Sequence, residues 1–172
     1  MLYRIAITGP ESTGKTELVK QLAELYDTVY VPEYAREYLD KNGMEYTPDD
    51  VEKMARGHLE LERQQSLKAN RILFSDTDMI AFKVWLSFYG WEVPTWLTDH
   101  IKRSPFDLYL LTDIDLAWVA DGQRSNSGDR EVLFNMFQEE LENLGANFGI
   151  ISGKGMLRLD NAISTIEEYM KL

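Results

Sequence analysis

The 172-residue chain contains no cysteine, which excludes a disulfide framework, a thiolate zinc site and a cysteine nucleophile, and fits a reducing compartment. Basic residues are scarce. Eighteen Lys and Arg face 29 Asp and Glu, a formal net charge of −11, so most of the surface repels phosphate backbones and anionic membranes. Nucleic acid is therefore not an expected partner, and any bound anion must be held by a local cluster of donors. Long apolar runs are missing too: nothing approaches the roughly 20 residues that span a bilayer. The opening Met1-Leu2-Tyr3-Arg4-Ile5-Ala6-Ile7 has no basic segment ahead of it and is cut by Arg4, unlike a signal peptide. A soluble, cytoplasmic protein is expected. What is present, 44% hydrophobic and 27% charged residues, suits one globular domain burying roughly 70% of its unfolded surface.

Short apolar runs alternate with longer segments of helical period, the pattern of an α/β fold with a mainly parallel sheet. The expected strands are 2–8, 28–31, 71–75, 107–112 and 148–151, nearly continuous in apolar residues as buried parallel strands are. Expected helices include 14–26, a long one from the Thr47-Pro48 cap to about residue 70, and 159–170. No internal repeat or interdomain linker is visible.

The most specific signal is Gly9-Pro10-Glu11-Ser12-Thr13-Gly14-Lys15-Thr16, a full G-x-x-x-x-G-K-[ST] phosphate-binding loop placed between an expected strand and an expected helix. Its backbone amides would cradle the phosphates of ATP, Lys15 would reach the β- and γ-phosphates, and the Thr16 hydroxyl would bind Mg²⁺. The other chemistry should lie beyond the carboxyl ends of the remaining strands. After the third comes Ser75-Asp76-Thr77-Asp78, where Asp76 is placed to orient a Mg²⁺ shell with Asp78 beside it, and where either, Asp78 above all, can instead cap the next helix. After the second comes Pro32-Glu33-Tyr34-Ala35-Arg36. Glu33 can accept a proton from an attacking hydroxyl, and Arg36, one helical turn on, can hold a phosphate or pair with Glu33. The choice of base between Glu33 and Asp76 stays open. After the fourth, Trp118-Val119-Ala120-Asp121-Gly122-Gln123-Arg124 and Arg130 lie in a polar segment, about 113–130, that reads as a lid carrying cations to the transferring phosphoryl group. Ser152, at the end of the fifth, can approach the adenine.

Taken together, GPESTGKT, PEYAR, ILFSDTD and WVADGQR resemble the ribosylnicotinamide kinase domain of the NadR family, over essentially the whole chain. The resemblance implies a P-loop NTPase kinase fold, with a five-stranded parallel sheet flanked by helices. It implies transfer of the ATP γ-phosphate to the 5′-hydroxyl of nicotinamide riboside, giving nicotinamide mononucleotide. By position, the family's phosphate loop falls on Gly9 to Thr16, its acidic strand end on Asp76 and Asp78, and its lid on Trp118, Asp121 and Arg124. Bifunctional members carry a nucleotidylyltransferase domain ahead of the kinase, so adenylylation is not expected of this chain. Some members have an aromatic where Pro32 stands here, which leaves stacking on the nicotinamide ring to Tyr34, Trp85, Tyr89 or Trp118.

Other conspicuous residues read as structural. His58 lies on an apolar helix face. Trp91, Trp96 and His100 read as packing of the acceptor region, and Glu139, Glu140 and Glu142 as a solvated helix face. Two alternatives compete: a kinase of another nucleoside or small metabolite, and a regulatory ATP-binding module of the AAA type. A homo-oligomer is left open.

Overall fold

The structure is a computed structural model that describes residues 1–119 and 128–171. Five strands, β1 (Tyr3–Thr8), β2 (Tyr30–Val31), β3 (Ile72–Asp76), β4 (Leu108–Thr112) and β5 (Phe148–Ile151), form one parallel sheet in the order β2-β3-β1-β4-β5. Helices α1 (Lys15–Leu25) and α7 (Met156–Met170) cover one face. The other face carries α2 (Tyr34–Asn42), α3 (Pro48–Ser66), α4 (Met79–Phe88), α5 (Thr95–Arg103) and α6 (Arg130–Leu144). The expected five-stranded parallel sheet is thus present. Among the described residues no helix is long and apolar enough to cross a membrane.

Strand alternation divides the core in two. Ile5, Ile7, Ile72, Phe74, Leu108 and Leu110 point toward α1 and α7. Ala6, Tyr109 and Leu111 point toward the larger helical layer. Both faces are buried, so these strands read as continuous apolar runs rather than alternating ones.

Element ends follow local chemistry. Thr47 and Asp50 form a reciprocal capping box at the start of α3, with Pro48 in the first turn, as the sequence suggested. That helix stops at Ser66 instead of near residue 70, because the Lys68 and Ala69 amides both return to the Gln65 carbonyl. The second strand is shorter than 28–31. Thr28 leaves the ladder and uses its hydroxyl to donate to the Ile72 carbonyl and accept from the Asn70 amide. Arg71, at φ +63°, delays β3 by one residue. Helix α7 starts three residues early, at Met156, since Arg158 is buried there and donates to the Gly153 and Ile151 carbonyls. The acidic face of α6 is not wholly solvated, as Glu140 pairs with Lys83 of α4 at 2.5 Å.

His58 sits on the buried face of α3, with Nε2 3.1 Å from the Ser75 hydroxyl and its ring 5.9 Å from that of Phe82. Burial pushes its pKa down to about 4, against a smaller opposing effect of the Thr77 carbonyl. The unfolded chain therefore takes up the imidazole proton near pH 6.5 and the folded chain only near 4, so stability is lost as pH falls through that window. His58→Gln keeps a donor toward Ser75 but does not titrate. Asp76 and Asp78, whose raised values act in the opposite sense, are common to both proteins and cancel in the comparison. Between pH 7 and 4 the wild type should lose on the order of 3 kcal/mol more than His58→Gln, measured by urea unfolding at each pH.

Candidate active site

The site begins at the turn between β1 and α1. Gly9 has φ +133°, and a Cβ there would lie 2.7 Å from the Thr112 hydroxyl, so only glycine lets the turn approach β4 this closely. Gly14, at φ +78°, caps α1, and no side chain caps its first turn, which leaves the helix N-terminus to face a ligand. The turn is braced by hydroxyls. Thr13 donates to the Pro10 carbonyl at 2.8 Å and lies 2.6 Å from the Thr112 hydroxyl, which donates to the Thr8 carbonyl at 3.1 Å. Ser12 bonds both the amide and the carbonyl of Val119, and Arg130 donates to the Ser12 and Leu116 carbonyls. The segment after β4 therefore lies against the phosphate-binding turn. The Lys15 ammonium donates to the Gly9 and Pro10 carbonyls, at 2.9 and 2.6 Å. It is held across the mouth of its own loop.

Beside the turn, β3 delivers Asp76 to the end of the sheet. Its Oδ2 accepts from the Thr16 hydroxyl at 2.6 Å, while Oδ1 is buried and has no hydrogen-bond partner among the described residues. Burial pushes the Asp76 carboxyl up to about 6, helped by the charge of Glu33 and opposed by Thr16, Lys15 and Arg36. These five side chains thus share one electrostatic neighbourhood. Glu33 stands at the N-cap of α2 with no capping hydrogen bond from its side chain, and its carboxylate lies 3.7 Å from Arg36 Nε. Asp78 is otherwise engaged. Its carboxylate accepts from the Thr8 hydroxyl at 2.8 Å and from the Ile80 amide at 3.1 Å, capping α4 with 1% exposure.

The turn opens into a cavity of about 420 Å³. One wall is Gly9 to Glu17, with Glu33 and Arg36 beside it; the rest is largely apolar and aromatic, including Tyr46, Phe82, Trp85, Phe88 and Tyr89. The Tyr46 hydroxyl joins two of these rings, accepting from Trp85 Nε1 at 3.1 Å and lying 3.3 Å from the Tyr89 hydroxyl. Its phenol is pushed up by burial, by the bond to Tyr89 and, more weakly, by the charges of Tyr89 and Glu11. Trp91 packs behind, its ring centroid 5.0 Å from that of Tyr89. Of the four aromatics expected to stack on a substrate, Trp85 and Tyr89 line the cavity. Tyr34 and Trp118 do not.

The Tyr34 ring instead occupies the space above Gly57 of α3, where a Cβ would come within 2.1 Å of it. Trp96 is directed away as well, donating to Glu52 with its ring under Arg56. Ser152 and Asp78 also lie outside the cavity lining, and Asp76 stands behind Thr16 rather than on its surface. Asp121 and Arg124, with the 120–127 part of the expected lid, lie outside the described residues. Sequence reasoning missed Tyr46, Phe82, Phe88, Leu133 and Phe137. The available signal for Phe82 and Phe88 was α4 itself, MIAFKVWLSF, apolar all round except for the Lys83–Ser87 stripe and so due to be covered over most of its circumference.

Comparison with known proteins agrees with this geometry. A family model described as an AAA domain (AAA_28) matches residues 4–158. The trifunctional NAD biosynthesis/regulator protein NadR of Escherichia coli is 33% identical over 152 residues, and that of Salmonella typhimurium 32%, each match covering 84% of this chain. The chain spans only 37% of the length of these relatives. A crystal structure of a NadR protein in complex with NR superimposes with a TM-score of 0.81 and 26% identity, over 99% of this chain and 52% of that one. A thymidylate kinase from Ehrlichia chaffeensis shares the fold alone, at 15% identity and a TM-score of 0.63 over 95% and 98% of the two chains. The resemblance carried by the four sequence motifs is thereby matched along the chain, and this protein belongs to the AAA_28 family of P-loop domains, with the fold of P-loop kinases and sequence similarity to NadR.

Proposed function

We propose that the protein transfers the γ-phosphate of ATP to the 5′-hydroxyl of nicotinamide riboside. The observation that carries this reading is the cavity: a phosphate-binding loop opens directly into a chamber lined by Tyr46, Phe82, Trp85 and Tyr89, with Glu11 and Glu33 at its mouth. The nicotinamide ring of the riboside is a pyridinium cation, and aromatic faces with nearby carboxylates attract flat cations. A neutral base gains less from such walls. NadR, similar over most of this chain, has been crystallised with NR and with NAD and AMP-PNP, which supports the same assignment. A regulatory ATP-binding module would not need an acceptor chamber beside its phosphate-binding loop.

In this reading the amides of the turn and of the α1 N-terminus hold the triphosphate, and Lys15 leaves the Gly9 and Pro10 carbonyls to bind the β- and γ-phosphate oxygens. Thr16 and Asp76 would hold a Mg²⁺ ion, which neutralises charge developing on the phosphates. They suit that ion: a hydroxyl and a carboxylate with an unpartnered buried oxygen supply hard oxygen ligands. No group of three or more histidine or acidic side chains able to bind metal exists among the described residues, so Thr16 and Asp76 would hold the ion together with oxygens that the protein does not supply. Glu33 lines the chamber and Asp76 does not, which favours Glu33 as the group that takes the 5′-hydroxyl proton. The 5′-oxygen then bonds to the γ-phosphorus as the bond to the β–γ bridging oxygen breaks, releasing ADP. Arg36 is placed to counter the charge on the transferred group.

Nicotinamide riboside should be phosphorylated at least about tenfold faster than thymidine by the purified protein with Mg·ATP, and Lys15→Ala should lower turnover by at least about two orders of magnitude while the fold persists. Preference for thymidine, or near wild-type turnover by the Lys15 variant, would refute the assignment.

The aromatic wall makes a separate expectation. Trp85→Leu should raise KM for the riboside about tenfold and leave KM for ATP within about twofold, because the lost contact is to the acceptor ring. Steady-state kinetics varying each substrate in turn reads this directly.

A further inference from the structure

Thr77 follows β3 and lines the cavity with φ +80°. For a β-branched residue this left-handed backbone is a strained outlier, and it persists only where surrounding contacts enforce it. The contacts are present. The Thr77 amide donates to the Ile7 carbonyl at 2.9 Å, carrying the β1–β3 ladder one residue past Asp76. Its carbonyl accepts from the Ser75 hydroxyl at 2.7 Å, and that hydroxyl lies 3.1 Å from His58 Nε2. Ser75 has one proton, already given to Thr77, so His58 must be the donor to Ser75. The imidazole is then neutral with its proton on Nε2, consistent with the buried Nδ1 having no partner among the described residues. Ser75 and His58 are fully buried.

The turn at Thr77 separates two carboxylates that an unbroken strand would send the same way. Asp76 meets the Thr16 hydroxyl, and Asp78 meets Thr8 and the first amides of α4. We propose that Ser75 and His58 are positioning residues of the transfer site, which hold Thr77 in its left-handed turn so that Asp76 is presented to Thr16. Neither touches a substrate. Their effect passes through one strained backbone unit. This inference rests on the phosphoryl-transfer reading for its kinetic consequence, though not for its structural one.

The test is a double-mutant cycle. Glycine adopts positive φ without support, so Thr77→Gly should remove the need for the brace. In the wild-type background Ser75→Ala should lower kcat about tenfold, with both KM values within about twofold; in the Thr77→Gly background the same change should cost less than about twofold. Melting temperatures should couple likewise, with Ser75→Ala losing more in the wild-type background than in the Thr77→Gly background. His58→Leu, carried through the same cycle, serves where Ser75→Ala does not fold. The thermal cycle needs no turnover, so a protein that phosphorylates no riboside would overturn the proposed function while leaving this inference to be judged on melting temperature. Equal losses in both backgrounds, or an unchanged kcat and melting temperature in Ser75→Ala, would overturn it.

Discussion

A phosphate chain can be bound by a chain of net charge −11 only where backbone dipoles and a few cations converge, and in the proposed function the turn from Gly9 to Thr16 has that task. The turn is a conformation that must be held. Positive φ angles at Gly9, Ser12 and Gly14 aim its amides, and the Thr13 and Thr112 hydroxyls, the latter donating to the Thr8 carbonyl, tie it to the ends of β1 and β4. Placing β1 at the centre of the sheet gives the turn neighbours on both sides. On the β3 side stand Asp76 and Glu33; on the β4 side stands the 113–119 segment, joined through Ser12.

This sidedness would organise the proposed transfer. The chamber lies toward α2, α4 and α6, so an in-line transfer in that reading would send the nucleoside of ATP the other way, toward the ends of β4 and β5. There Arg158, 4% exposed, bonds the carbonyls of Ile151, Gly153 and Asp113 and the Asp115 carboxylate, and Asp115 also accepts the Gly153 amide. The loop that carries Ser152 is thereby fixed to the end of β4. On the chamber side Glu33 lies close enough to Asp76 to help raise its pKa, against the charges of Lys15 and Arg36.

Much of this was legible in the sequence, because strand ends and the phosphate loop are local signals. Gly9, Gly14 and Thr16 are recognisable by spacing alone, and the five apolar runs located every strand to within about two residues. What escaped depends on contacts between distant segments. Tyr34 looks like a cleft residue until Gly57, 23 positions later, is seen to leave room for its ring. Asp78 can be read from sequence either as a neighbour of Asp76 in the cleft or as a helix cap, and only the Thr8 hydroxyl and the Ile80 amide decide for the cap. Tyr46 sits in a polar stretch with no periodicity, and only the fold brings it against Trp85. The strain at Thr77 has no sequence signature, since nothing in Ser-Asp-Thr-Asp announces a left-handed threonine.

The most direct measurement is a crystal structure of the protein with Mg·AMP-PNP and nicotinamide riboside. The pyridinium ring should lie against Trp85 and Tyr89, with the 5′-oxygen in line with the γ-phosphorus and within hydrogen-bonding distance of Glu33. A riboside bound outside the aromatic chamber, or a 5′-oxygen directed away from the γ-phosphate with Glu33 remote from it, would contradict the account.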